Sequence, residues 1–253
     1  MRVLVATAVL VERDAVAAAF APSAALEYAI PGATLSRVAP VESGPLVFDL
    51  LAAGVGPAAA AAATAAALTA AALNEQTDEQ TDDRTSGPYD LVVSAGIGGG
   101  FQPEAPVGSL VLADEITAAD LGAETADGFV PVTELGFGAV THRPPESLVR
   151  AVAAVTGART GAVLTVNTVT GSAERAAELR RRHPRALAEA MEGFGVAEAA
   201  TAHGVPVLEL RAVSNPVGPR DRAAWRIGDA LAALTGAFGK LAPALESWNP
   251  HDR

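Results

Sequence analysis

Residues Val3–Thr7 form an uninterrupted run, Val-Leu-Val-Ala-Thr, near the start of the chain. A strand with one wet face alternates apolar and polar side chains, so a run without that alternation has to be covered on both faces. Five residues suit a strand and are too few for a helix. A sheet that opens on such a strand needs a layer on each side, which restricts the chain to α/β architectures. Further strands are expected at Leu46–Ala53, Leu91–Ser94, Val107–Leu112, Ala162–Val166 and Val205–Val213. Helical segments are expected at Glu12–Phe20, Ala58–Leu73, Glu146–Val155, Ala173–Arg182, Met191–His203 and Asp221–Leu245. Pro57 suits a first helical turn, and Gly204 the position after a last one. The expectation is one three-layer α/β/α domain over residues 1–246 with a mixed, largely parallel central sheet. Residues 74–88, acidic and without an apolar side chain, are expected as a solvated loop insertion, and 247–253 as a tail.

Composition narrows the function. Of 253 residues, 50% are hydrophobic and 19% charged, which is a folding composition. The formal net charge is −11 and the one basic run is Arg180–Arg185, so a nucleic-acid partner is not expected. No apolar run reaches the ~18 residues of a membrane span. With no cysteine there is no thiolate chemistry, and with Lys240 as the one lysine a Schiff base is nearly excluded. The N-terminus lacks the layout of a signal peptide, so the cytoplasm is the expected location. His142, His183, His203 and His251 show no metal-ligand spacing, and no G-x-S-x-G is present.

Small-molecule chemistry then falls to glycines and carboxylates. Gly96-Ile97-Gly98-Gly99-Gly100 reads as a turn at a strand end, but Pro103 and Pro106 forbid the following helix that a dinucleotide site requires. It leaves either a tight turn or a bare backbone that a ligand can approach closely. Gly54-Val55-Gly56-Pro57 does precede a helix, yet lacks the Lys-Ser/Thr of a P-loop. Glu12 and Glu192 both stand where a strand passes into a helix. Singly, each fits a charge favoured by the helix dipole; together they could form a pocket with a base and a hydroxyl acceptor. A cap explains Asp221 and packing explains Trp225, but neither explains Arg211 inside an apolar strand.

In order along the chain, Thr7-Ala8…Glu12, Gly54-Val55-Gly56, Ser94–Gly100, Asp114-Glu115, Ala190-Met191-Glu192-Gly193 and Arg211-Ala212-Val213-Ser214-Asn215 resemble the purine nucleoside phosphorylase and nucleosidase superfamily. Ser214–Asp221, Thr165–Thr170 and Ala118–Gly122 look most like its futalosine hydrolase family. The resemblance implies hydrolysis of the N-glycosidic bond of futalosine to hypoxanthine and dehypoxanthinyl futalosine, in the alternative menaquinone pathway, without metal or organic cofactor. It implies that Glu12 activates water, that Arg211 places the water or stabilises Glu12, and that Met191 and Glu192 hold the ribose. Gly96, Ile97 and Gly98, with Val166, Asn167, Thr168, Val169 and Thr170, would line the substrate, and Ser214 and Asn215 would meet the base. A homodimer or higher homo-oligomer is also implied. Adenosine-type nucleosidases differ in carrying Asp where Asn215 stands, Ser where Ile97 stands, and an aromatic residue near Val169.

The Asn215 difference has a physical reading. Adenine offers N7, an acceptor, beside an amino donor, which an Asp can serve. Hypoxanthine offers N7 beside O6, two acceptors; an amide gives N–H to one and a carbonyl to the developing N7–H. Mispairing a buried polar group costs ~1–3 kcal/mol, so Asn215 favours a 6-oxopurine. A phosphorylase would need a phosphate site, and no arginine adjoins Gly54–Pro57. The 5′ arm of futalosine bears an aryl carboxylate, for which Trp225 with Arg220 or Arg222 is the candidate; a plain surface run is an equal reading. The alternatives are a methylthioadenosine/adenosylhomocysteine nucleosidase, a 6-oxopurine nucleoside phosphorylase, or a non-catalytic purine-binding module.

Overall fold

The structure, a computed structural model, describes residues 1–20, 25–39, 46–77 and 87–248. In chain order its elements begin β1 (Arg2–Thr7), α1 (Leu10–Ala17), β2 (Leu26–Ile30), β3 (Ala33–Val38), β4 (Val47–Ala52), α2 (Pro57–Thr77) and β5 (Leu91–Gly100). They continue β6 (Leu110–Ala118), β7 (Gly122–Thr125), β8 (Gly128–Pro131), β9 (Thr141–His142), α3 (Glu146–Thr156) and β10 (Arg159–Thr165). Last come α4 (Ala173–Arg182), β11 (Ala186–Ala190), α5 (Gly193–Ala202), β12 (Val207–Pro216) and α6 (Ile227–Ser247).

The sheet runs β11-β10-β6-β12-β5-β1-β4-β3-β2, parallel except where β6 meets β12 and where β3 pairs with β4 and β2. β11 also pairs antiparallel with the end of β5, so the half containing β12, β6 and β10 curls back on itself. The double-sided burial expected of β1 is seen residue by residue. Val3 and Val5 join a core with α1, α3 and α6, including Val16, Val152 and Phe238. Leu4 and Ala6 face the opposite core, with Ala60, Ala67 and Leu68 of α2 and Val196, Ala197 and Ala200 of α5. Alanines let α2 and α5 pack closely, and at Gly195 a side chain would run into the carbonyl of Pro57. That approach carries the start of α5 to the start of α2.

Several boundaries differ from the sequence reading. Gly96–Gly100 is not a turn: β5 continues through it, because β12 and β11 supply partners along its length. Asp114 and Glu115 lie within β6, not after it. Residues 74–77, expected in the loop, extend α2, while 78–86 lie outside the described residues. α6 starts at Ile227, after a 3-10 turn at Arg222–Ala224, and runs through Ser247 to a buried Trp248. The expected tail therefore does not begin at 247, and 249–253 lie outside the described residues. Among the described residues no helix is long and apolar enough to cross a membrane.

Candidate active site

The carboxyl ends of the parallel strands β1, β5 and β12 meet in a buried charged cluster, at the place where open α/β sheets hold ligands. Arg211, on β12, is its hub. Its Nη1 donates to Glu192 Oε2 at 3.3 Å, its Nη2 to Ser94 Oγ at 2.9 Å and its Nε to Glu209 Oε1 at 2.9 Å. Arg211 stands opposite Gly96 in the β12–β5 register. A Cβ on Gly96 would lie 2.7 Å from Glu12 Oε1 and 2.8 Å from Arg211 Nη1, so both side chains pass over that bare α-carbon. This close approach, rather than a turn, is what needs glycine.

Glu12 sits in the first turn of α1 and serves two elements. Its Oε2 accepts from the backbone N–H groups of Ala8 (3.0 Å) and Val9 (3.3 Å), closing the helix N-terminus. Its Oε1 accepts from the Ile97 N–H at 2.9 Å. Burial pushes the Glu12 carboxyl above its ordinary range, against the Ile97 hydrogen bond and the Arg211 charge, and the neighbouring Glu192 adds to the rise. Glu192 immediately precedes α5. Its Oε1 accepts from Gly56 N–H at 3.4 Å and its Oε2 also accepts from Met191 N–H at 3.3 Å. Gly54 and Gly56 have φ of +93° and +92°, a conformation open to glycine, and it aims the Gly56 N–H at this carboxylate. The turn weighed as an anion site is thus occupied by the protein's own anion.

Beyond the cluster β12 continues past Ser214 and Asn215, the latter opposite Gly99. Ser214 Oγ donates to Asn215 Oδ1 at 2.8 Å, and Asn215 Nδ2 donates to the Pro216 carbonyl at 2.9 Å. Each amide atom keeps one further position, an N–H and a lone pair. Arg220 and Arg222 both lie over the Trp225 ring, 5.4 and 5.8 Å from its centroid.

The phosphorylase superfamily model matches residues 16–244. A futalosine hydrolase of Streptomyces coelicolor is 73% identical over all 253 residues, covering both chains completely. The chain belongs to the futalosine hydrolase family of the phosphorylase superfamily. Two solved structures agree in fold. The native futalosine hydrolase of Helicobacter pylori superposes with a TM-score of 0.76 at 17% identity, over 96% of this chain and 97% of that one. A methylthioadenosine/adenosylhomocysteine nucleosidase of Colwellia psychrerythraea, in complex with adenine, gives 0.72 at 22% identity, over 97% and 94%.

The site residues expected from the superfamily resemblance fall into three groups. Glu12, Glu192, Arg211, Gly96, Ile97 and Met191 are joined by the contacts above, and Gly98, Ser214 and Asn215 continue from them along β5 and β12. The 166–170 segment is tied down by its own contacts. Val166 is buried, its N–H bonded to the Ala190 carbonyl. Asn167 is bound through N–H and side chain to Asp120, at 2.7 and 3.1 Å. Thr170 gives both its N–H and its hydroxyl to Glu189. Asn167 and Thr170 therefore hold the loop with their polar atoms, while Val169 is half-buried and Thr168 exposed. Arg220, Arg222 and Trp225 form their own stack, with Arg220 the nearest side chain to Gly171 of that loop. Ser94 and Glu209 were not anticipated. Glu209 had a signal: it stands two residues before Arg211, and on a strand residues i and i+2 share a face.

Proposed function

We propose that this protein hydrolyses the N-glycosidic bond of futalosine, releasing hypoxanthine and dehypoxanthinyl futalosine on the alternative menaquinone route, with Glu12 as the base that activates water. The observation that carries this reading is the buried cluster in which Glu12 and Glu192 flank the single cation of Arg211. As the purine departs, positive charge grows on the ribose, and preorganised carboxylates nearby are the groups to stabilise it. A carboxyl raised by burial is also the stronger base toward water. Glu192 accepts from the ribose hydroxyls with its remaining lone pairs, and Met191 lies against the sugar. Asn215 turns its free N–H and lone pair to a 6-oxopurine. Water is the nucleophile because Glu192 already takes the Gly56 N–H, and its charge would repel phosphate.

Trp225 covers the 5′ arm, and Arg220 or Arg222 pairs with the aryl carboxylate. The active form is a cytoplasmic homo-oligomer. Val9, Leu10, Val11 and Val55, next in sequence to Glu12 and Gly56, are exposed, and a largely apolar cleft of about 330 Å³ lies between α2, α5 and Leu121. Light scattering coupled to size exclusion reads the subunit number.

The deciding experiment follows product release from futalosine, inosine and methylthioadenosine, each with and without phosphate. Hypoxanthine from futalosine alone, independent of phosphate, is the expected result. Phosphate-dependent cleavage of inosine would identify a phosphorylase, and adenine from methylthioadenosine would overturn the reading of Asn215.

A further inference from the structure

Glu209 has no part in the chemistry above, yet it is fully buried and touches the hub of the cluster. Its Oε1 accepts from Arg211 Nε, while its Oε2 has no hydrogen-bond partner among the described residues. Next to it is Gly193, where a side chain would fall inside the Glu209 carboxyl group. The residue following Glu192 is therefore bare because Glu209 fills its space. Two charged groups act on Glu209: Arg211 from its own strand and Glu192 from the start of α5; Glu12 of α1 lies beyond them, against the Nη1 edge of the same guanidinium. Ser94 of β5, its partner in register, is neutral.

A hydroxyl or amide could satisfy Nε at lower desolvation cost than a carboxylate with an idle oxygen. What a carboxylate adds is charge. Without it, the one cation would act in full on Glu12 and Glu192, and an undiluted cation beside a general base makes it a weaker base.

We propose that Glu209 is a positioning residue, which fixes the Nε edge of Arg211 so that Nη1 faces Glu192 beside Glu12, and whose negative charge shields Glu12 from the full field of that cation. This rests on the reading of Glu12 as the base.

The test is the pH profile of kcat/KM for the wild type, Glu209→Gln and Glu209→Asp. Glu209→Gln keeps an acceptor for Nε and removes the charge, so its acidic limb moves to lower pH by roughly half a unit to one unit. Its kcat falls about threefold to tenfold, as expected of a weaker base. A merely structural residue would lower stability and leave the limb in place. An unmoved limb in Glu209→Gln, whatever its kcat, overturns the proposal. Should that variant not fold, Glu209→Asp decides: it keeps the charge and gives up the Nε contact, so the limb stays while kcat falls several-fold, and wild-type kcat would overturn the positioning role. The profiles are measured with whichever nucleoside the wild type cleaves. Failure on futalosine thus counts against the substrate reading, not against Glu209.

Discussion

The same sheet carries two buried charged clusters, one at each end, built with opposite ratios. At the carboxyl ends of the strands one guanidinium, Arg211, is shared by Glu192 and Glu209 with Glu12 alongside. At the amino ends one carboxylate, Asp49 of β4, is shared by two guanidiniums. Arg2 Nε donates to it at 2.9 Å, Arg37 Nε at 2.7 Å, and the Tyr89 hydroxyl at 2.8 Å. Burial pushes the Asp49 carboxyl up, but the Arg37 hydrogen bond and the Arg2 charge outweigh it and hold it below its ordinary range. Burial pushes Glu12 and Glu209 up, and one arginine between them does not reverse it. An excess of donors makes an inert strut; an excess of acceptors leaves the base, Glu12, able to exchange protons.

Removing one acid at each end should separate the two roles. Glu12→Gln should lower kcat by about 10²–10⁴ while retaining ligand affinity, read by single-turnover kinetics and calorimetric titration. Lost affinity with intact turnover would break the contrast and the assignment of the base. Asp49→Ala leaves the buried guanidinium of Arg2 and the half-buried one of Arg37 without their carboxylate and should cost about 3–5 kcal/mol in denaturant unfolding. The folded fraction should keep kcat within about twofold of wild type, since Asp49 lies at the far end of the strand. A stable Asp49→Ala with impaired turnover would mean that the strut shapes the site.

The Asn215 prediction is smaller. Asn215→Asp should move preference from 6-oxopurine toward 6-aminopurine nucleosides by ten- to a hundredfold, measured as the ratio of kcat/KM values. An unchanged ratio would place the base elsewhere than against β12.

Proton linkage sharpens the comparison, because the two ends bend the stability curve in opposite directions. Asp49, depressed in the folded state, contributes stability that is present above its unfolded value and lost as pH falls through its folded one. Glu12, raised in the folded state, binds its proton more tightly when folded, so its contribution declines as pH rises from the ordinary carboxylate range through the raised value. Asp49→Asn should flatten the acid limb of unfolding free energy, and Glu12→Gln the limb above it. Denaturant titrations across pH 3–8, a range chosen about these limbs, read both.

What could be read from the sequence divides along the same physical line. Strands β1 and β5 were legible because their apolar runs cover both faces, β12 because apolar residues outnumber the two charges on its one polar face, and Glu12 and Glu192 because strand-to-helix corners bear charges visibly. The β2–β3 hairpin was not, since Leu26–Ile30 alternates only weakly and is largely exposed. β11 has helix-forming letters, Ala-Leu-Ala-Glu-Ala, and becomes a strand because β10 and β5 both pair with it. The glycines of β5 have low strand propensity, so their strand state follows from pairing with β12 and β11, while Glu12 and Arg211 need the bare space above Gly96. Partnerships across elements, such as Arg211 with Ser94 and Asn167 with Asp120, need the register before they can be seen.

The smallest expected effect concerns the Arg220–Trp225–Arg222 stack, where charge is solvated instead of buried. Both arginines are exposed and neither forms an ion pair shown in the structure, unlike Arg2 or Arg211, so a carboxylate arriving on the 5′ arm finds guanidiniums already ordered on an indole face. An exposed pair of this kind is worth about 0.2–1 kcal/mol, more where Trp225 excludes water. The double variant Arg220→Ala/Arg222→Ala should therefore raise KM for futalosine about two- to tenfold and leave kcat nearly unchanged. Any inosine cleavage, however slow, should keep its KM, because inosine has no carboxylate to lose. Added salt should weaken futalosine binding in the wild type and not in the double variant, since only the wild type retains that attraction to be screened. Equal losses on both nucleosides would instead assign the stack to closing the site over any substrate.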